Sequence, residues 1–285
     1  MQLGIRLHDA AALPLEQRLD AVTAQGFSCV HLALSKVLHA EYAKPGALTP
    51  GFAMHLRRLF ADRRLDIAVL GCYLNLAHPE QEALASIQRT YEAHIRFAAH
   101  LGCGVVGTET GAPNPQYSYE PACHSEEALA TFIRNLKPVV RFCEQMGVLF
   151  AIEPVYTHIV SNGRRARRVL DEIASPNLQI ILDPVNLLHK ENVHQRSEVI
   201  AEAIELLRDE IAVVHLKDYS TKEDGTLKSV AAGTGEMDYS DIFSFIRKEK
   251  PWIHATLENT TPENAESSRR HMEKLWNEAG SLQHS

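Results

Sequence analysis

Cysteine is scarce and unpaired in this chain. Cys29, Cys72, Cys103, Cys123 and Cys143 are dispersed, odd in number and without a C-x-x-C pair. They read as small reduced residues of a cytosolic protein and exclude a disulfide frame. Long apolar runs are also missing: none approaches the roughly 18 residues that a membrane helix needs. The chain enters Leu3-Gly4-Ile5-Arg6-Leu7 without a charged and apolar leader, so neither export nor membrane insertion is expected, and the expected location is cytoplasmic. Positive charge is in the minority, with 29 Lys and Arg against 36 Asp and Glu and a net charge of -7. That balance argues against nucleic acid as a partner. The run Arg164-Arg165-Ala166-Arg167-Arg168 reads first as a solvated helix face and second as a helix opening whose first turn reaches an anionic substrate or partner. Glycine is absent where a dinucleotide fold requires it, because Leu7-His8-Asp9-Ala10 follows the first apolar run with none.

What is present is an unbroken alternation of short apolar runs and longer amphipathic ones. Strands are predicted at Gln2–Leu7, Cys29–Ala33, Asp66–Leu70, Gly104–Thr108, Val148–Ile152, Gln179–Leu182, Ala212–Leu216 and Ile253–Leu257. Helical spacing lies between them, as in Leu84, Ile87, Tyr91, Ile95 and Ala98, or Val199, Ile200, Ala203, Ile204 and Leu207. Gly26, Gly102 and Gly147 close helices before strands, and Thr261-Pro262 is expected to open the last helix. Pro138 is expected to kink or split the helix between Glu126 and Met146. Eight such units in 285 residues, with no Pro/Gly/Ser-rich linker, predict a single-domain (β/α)8 TIM barrel over residues 1–285 rather than an open sheet.

Four of these runs end on Glu153, Asp183, His215 and Glu258. One such group buried without a partner would cost several kcal/mol, so four at matching positions point to a shared compensating partner. Three carboxylates and an imidazole suit a divalent metal. Barrel chemistry gathers at the C-terminal strand ends, where His8, Asn75 with His78, and Glu109 also fall. Glu109 reads as cavity wall or as the partner of a cation such as Arg6. His8 and His31 read equally as packed rings or substrate contacts, and Lys217-Asp218 as a rim ion pair or a ligand contact. Gly233-Thr234-Gly235 is expected to close a loop over the metal, offering backbone N–H groups to a substrate oxygen or phosphate.

Ala151-Ile152-Glu153-Pro154, Ile181-Leu182-Asp183-Pro184-Val185-Asn186, Val213-Val214-His215-Leu216-Lys217-Asp218, Gly233-Thr234-Gly235-Glu236-Met237-Asp238-Tyr239 and Leu257-Glu258-Asn259 together resemble the sugar phosphate isomerase/epimerase family, the xylose isomerase-like barrels. The resemblance spans essentially the whole chain. It is most specific over the last four strands, where the order of Glu, Asp, His and Glu matches the metal ligands of ketose 3-epimerases and inosose isomerases. It implies one divalent metal, commonly manganese, magnesium or cobalt, with zinc also compatible, held by Glu153, Asp183, His215 and Glu258. It also implies that Glu153 and Glu258 act as acid and base. Many members carry a histidine three residues after the aspartate. This chain has Asn186 there, whose amide can orient a hydroxyl but cannot titrate near neutral pH. DNA-repair endonucleases of the same superfamily need a D-x-H pair between the strand-seven histidine and the last glutamate. Only His254 lies in that interval, and nuclease function is excluded.

Moving a proton beside a carbonyl requires a stabilised enediolate and a base within about 3 Å of the hydrogen. A hard cation supplies the first and a carboxylate on each face the second. The leading expectation is therefore a metal-dependent isomerase or epimerase of a small sugar, keto-sugar or cyclitol, with Asn186, Lys217, Glu109, His8 and Asn75 as substrate contacts. A lyase or dehydratase acting on a keto-sugar or 3-keto-glycoside shares the same first step. A non-catalytic sugar-binding subunit is the third reading. Phosphorylation of the substrate and assembly into a homo-oligomer are left open by the sequence.

Overall fold

The eight predicted runs become the parallel strands of a closed barrel. The computed structural model describes residues 1–281. Its strands are β1 (Gln2–Arg6), β2 (Cys29–Leu32), β3 (Asp66–Gly71), β4 (Val105–Glu109), β5 (Leu149–Glu153), β6 (Leu178–Leu182), β7 (Ile211–Leu216), β8 (Asp218–Thr221), β9 (Leu227–Val230) and β10 (His254–Leu257). The barrel closes in the order β1-β10-β7-β6-β5-β4-β3-β2, while β8 and β9 form a separate antiparallel hairpin. Each barrel strand differs from its sequence-read bounds by at most a single residue at either end. The helices are α1 (Leu15–Ala24), α2 (Leu34–Val37), α3 (Pro50–Ala61), α4 (Gln81–Leu101), α5 (Glu126–Met146), α6 (Gly163–Ile173), α7 (Arg196–Leu207), α8 (Ser240–Glu249) and α9 (Ala265–Ser281).

Two expectations are revised and one element is added. The hairpin was not read from sequence, because Leu227–Val230 is short and lies outside the barrel's buried pattern. Of the kink or split expected at Pro138, the split is absent: α5 is one continuous helix from Glu126 to Met146. Proline removes one ladder hydrogen bond at a cost of about 3 kcal/mol, whereas this helix buries Leu129, Phe132, Ile133, Leu136, Val139, Val140 and Cys143, which together contribute more. Helix α9 starts at Ala265 rather than at Pro262, after a turn in which Ala265 N–H donates to the Thr261 carbonyl at 2.9 Å.

The core has two parts. A large cluster lies between the strands and the helices, and a small one, formed by Cys29, Ala68, Val69, Val105, Ala151, Ile181 and Val213, fills the barrel axis. Gly107 belongs to this inner layer: a Cβ there would sit 2.6 Å from Val69 Cγ1 and 2.7 Å from Ile181 Cδ1. Side chains alternate along a strand, so residues two positions beyond the inner layer point toward the axis at the barrel mouth. Among the described residues, no helix is long and apolar enough to cross a membrane.

Candidate active site

That alternation assembles the site. Two residues beyond Ala151, Ile181, Val213 and Cys29 lie Glu153, Asp183, His215 and His31, and two beyond Gly4 and Gly107 lie Arg6 and Glu109. Thr256 is in register with His215, which carries Glu258 to the mouth. Local chemistry stops the strands there. Pro154 and Pro184 have no N–H to continue a ladder, and Asp183 Oδ1 turns the chain by accepting from Val185 N–H at 2.9 Å and Asn186 N–H at 3.2 Å. Asn259 takes a left-handed φ of 58° immediately after Glu258, a conformation asparagine tolerates.

His215 is at the centre. Its Nδ1 lies 3.2 Å from Glu258 Oε1 and 3.4 Å from Glu153 Oε2, yet it is buried without a hydrogen bond of proper geometry. Donor atoms of Glu153, Asp183 and His215 all fall within 4.8 Å of one another. The remaining oxygens are fastened from outside. Asn186 Nδ2 donates to Glu153 Oε1 at 2.6 Å, and Arg6 pairs with Glu258 Oε2 at 3.3 Å. Lys217 Nζ reaches Asp183 Oδ2 at 2.9 Å, Glu258 Oε2 at 3.6 Å and Asn186 Oδ1 at 2.6 Å. An imidazole nitrogen with no hydrogen-bond partner, facing oxygens of buried carboxylates, is the donor set a divalent cation fits.

Charge in this space is closely balanced. Burial works against ionisation of Glu258, but His215, Lys217 and Arg6 hold its carboxyl well below the usual range. Burial raises Asp183, against the pull of Lys217. Burial alone would lower His215, but Glu258 and Glu153 lift it to about 9. Glu109 stands beside Glu153 in register, and burial followed by repulsion from Glu153 and Glu258 pushes it up to about 7. A carboxyl raised on folding contributes stability that is full below its ordinary value near 4.5 and lost as pH rises through about 7. Metal-free protein is therefore expected to lose on the order of 2 kcal/mol between pH 5 and 8 from this group, and Glu109→Gln to lose less. Denaturant unfolding at the two pH values measures this; equal losses in both proteins would rule it out.

A cavity of about 310 Å³ opens onto these groups, lined by Arg6, His8, Lys36, Tyr73, Glu109, Glu153, Asn186, Lys217 and Glu258. A larger groove of about 500 Å³ between α1 and α3 is mostly apolar and lies away from the carboxylates. His8, Glu109, Asn186 and Lys217 thus stand together with Glu153 and Glu258, as read from sequence. Asn75 does not. Its amide donates to the carbonyls of Ala112 and Asn114 at 2.8 Å each and accepts from Ala77 and Ala112 N–H, so it ties down the loop after β4. Glu109 lies 3.8 Å from His158 rather than against Arg6, which pairs with Asp9 and Glu258. Asp218 does not pair with Lys217: its carboxylate accepts from Gly233, Gly235, Met237 and Tyr219 N–H, using the backbone donors expected to face substrate. The Arg164–Arg168 run makes ion pairs with Glu202, Glu126, Asp171, Glu210 and Glu172. Sequence reasoning did not place Arg6, Lys36 and Tyr73 at the cavity, although two-residue alternation from Gly4 and Val69 would have marked Arg6 and Tyr73.

No curated protein matches the chain. Among solved structures, a D-tagatose 3-epimerase-like protein superposes with a TM-score of 0.76 at 17% identity, covering 100% of both chains. The 3-keto-D-glucoside 4-epimerase of E. coli gives 0.72 at 15% identity over 96% of this chain and 99% of its own. A xylose isomerase-like TIM barrel protein from Mycobacterium smegmatis, in complex with magnesium, gives 0.70 at 15% identity over 97% and 94%. At these identities the superpositions speak for the fold alone. The family model of the xylose isomerase-like TIM barrel matches residues 19–275. On that match, and with the closed eight-stranded barrel, the chain belongs to the xylose isomerase-like TIM barrel family.

Proposed function

We propose that this protein is a divalent-metal-dependent isomerase or epimerase of a small keto-sugar or cyclitol, with Glu153 and Glu258 as its acid-base pair and Glu153, Asp183, His215 and Glu258 as its metal ligands. The observation that carries the reading is the convergence of two glutamates on one imidazole nitrogen. Each presents one oxygen to His215 Nδ1, at 3.4 and 3.2 Å, while the other oxygen is held by Asn186 or Arg6. A divalent cation bound there, manganese, magnesium or cobalt, would supply Lewis-acid polarisation of a substrate carbonyl and its neighbouring hydroxyl.

The chain's own residues do the rest. Glu153 ends β5 and Glu258 directly follows β10, strands separated by β6 and β7, which suits a proton removed on one face of the substrate and returned on the other. Asn186 fixes the orientation of Glu153, while His215, Lys217 and Arg6 together keep Glu258 ionised. Lys217 is already bonded to Asn186 and Asp183 and lines the cavity, where its ammonium group can hold a substrate oxygen that gains negative charge. The cavity, about 310 Å³, suits a small polyhydroxylated molecule.

The test is incubation with ketoses, their phosphates and inososes in deuterated water, using protein stripped of metal and then reloaded with Mn2+. Solvent deuterium is expected on the carbon beside the carbonyl, only after reloading and without loss of a fragment. Loss of water or a leaving group would move the assignment to the lyase reading. Absence of exchange with every candidate in metal-loaded protein would overturn the proposal.

A further inference from the structure

His31 is the second imidazole at the site and is fully buried. Its Nδ1 lies 3.1 Å from His215 Nε2, and its Nε2 lies 2.7 Å from Tyr73 Oη. The His31 and Tyr73 rings are stacked with 14° between their planes. Space for this pair is provided by the end of β3: a Cβ on Gly71 would lie 2.5 Å from His31 Nε2 and 2.9 Å from Tyr73 Cε2. His31, His215 and Glu258 also form a donor cluster, so His31 must be either a ligand or the partner of one.

The bonding decides between these. A neutral imidazole has one donor and one acceptor nitrogen. For His215 to offer the Nδ1 lone pair to a cation, its hydrogen must be on Nε2, where the atom facing it is His31 Nδ1. That nitrogen then accepts, the His31 hydrogen is on Nε2, and Tyr73 Oη receives it. The tyrosine's own hydrogen is left free to donate into the cavity that Tyr73 lines. The reverse direction would put an N–H of His215 among the carboxylates, where the cation belongs.

We propose that His31 is a positioning residue which, backed by Tyr73, holds the His215 ring with Nδ1 toward Glu153 and Glu258 and so sets the tautomer that binds metal. This rests on the metal reading above. Groups that orient a metal-bound histidine typically change affinity by about 10- to 100-fold.

The experiment titrates wild type, His31→Leu and His31→Gln with Mn2+, following free metal by electron paramagnetic resonance. It also records through-hydrogen-bond N–N coupling in metal-free, 15N-histidine-labelled wild type. Expected are a coupling between His215 Nε2 and His31 Nδ1, about 10-fold or greater weakening of Mn2+ binding in His31→Leu, and recovery of most of it in His31→Gln, whose carbonyl accepts the same N–H. Wild type that binds no Mn2+ but retains the coupling would remove the metal reading and, with it, the role in metal binding, while leaving the hydrogen bond standing. Equal Mn2+ affinity in wild type and His31→Leu would overturn the positioning role alone. Two imidazole nitrogens bonded to Mn2+ in the spin-echo spectrum would make His31 a ligand and overturn it as well.

Discussion

Glu258→Gln is expected to lower substrate turnover by on the order of 10³-fold, within the range that removing a general acid or base produces. The substitution keeps the shape of the side chain and leaves an amide that cannot take a proton. It also removes a negative charge that now faces His215, Lys217 and Arg6 at 3.2, 3.6 and 3.3 Å, so metal binding should weaken too. Turnover is therefore to be read at saturating Mn2+, with occupancy measured separately. Glu153→Gln should fall to a similar level, because each glutamate serves one face of the substrate and neither can stand in for the other. Full turnover by a folded, metal-loaded Glu258→Gln protein would contradict the assignment of this residue as acid or base.

The second large effect concerns stability. Lys217→Met is expected to destabilise metal-free protein by about 3 kcal/mol or more, the scale for removing one partner of a buried ion pair. Lys217 is only 5% exposed, as is Glu258, and Asp183 is 1% exposed. Without the ammonium group, Asp183 Oδ2 loses its neighbour at 2.9 Å, and Asn186 Oδ1 loses a donor at 2.6 Å. A divalent cation brought to the same carboxylates replaces the missing charge. Added Mn2+ should therefore raise the melting temperature of Lys217→Met by more than that of wild type. Unfolding curves with and without Mn2+ measure both effects. An unchanged melting temperature in metal-free Lys217→Met would show that the ammonium group does not hold these carboxylates together.

Much of the site was legible because a closed barrel converts strand order into position. Glu153, Asp183, His215 and Glu258 each end a buried run, and a barrel has a single mouth where such ends meet. Asn75 carried the same signal and met a different fate. It lies in the loop after β3, where its amide is saturated by four backbone groups, a local packing outcome that strand position does not reveal. Asp218 differs for a similar reason: the hairpin β8–β9 folds Gly233 and Gly235 back onto its carboxylate, and short exposed strands leave little hydrophobic pattern. At Pro138 the sequence points to a kink or a split because proline's local cost is visible there, while the apolar stripe of α5 that keeps the helix in one piece acts through tertiary contact.

The amino-acid order alone determined the barrel and the mouth at which Glu153, Asp183, His215 and Glu258 meet. Both follow from periodicity, which repeats along the chain and needs no knowledge of neighbours. Only the tertiary structure decided which groups pair: Arg6 with Glu258 rather than Glu109, Lys217 with Asp183 rather than Asp218, and His31 with His215. Those choices depend on distances between strands far apart in sequence, and electrostatics and hydrogen bonding change sharply over an ångström or two, a scale that spacing along the chain does not encode.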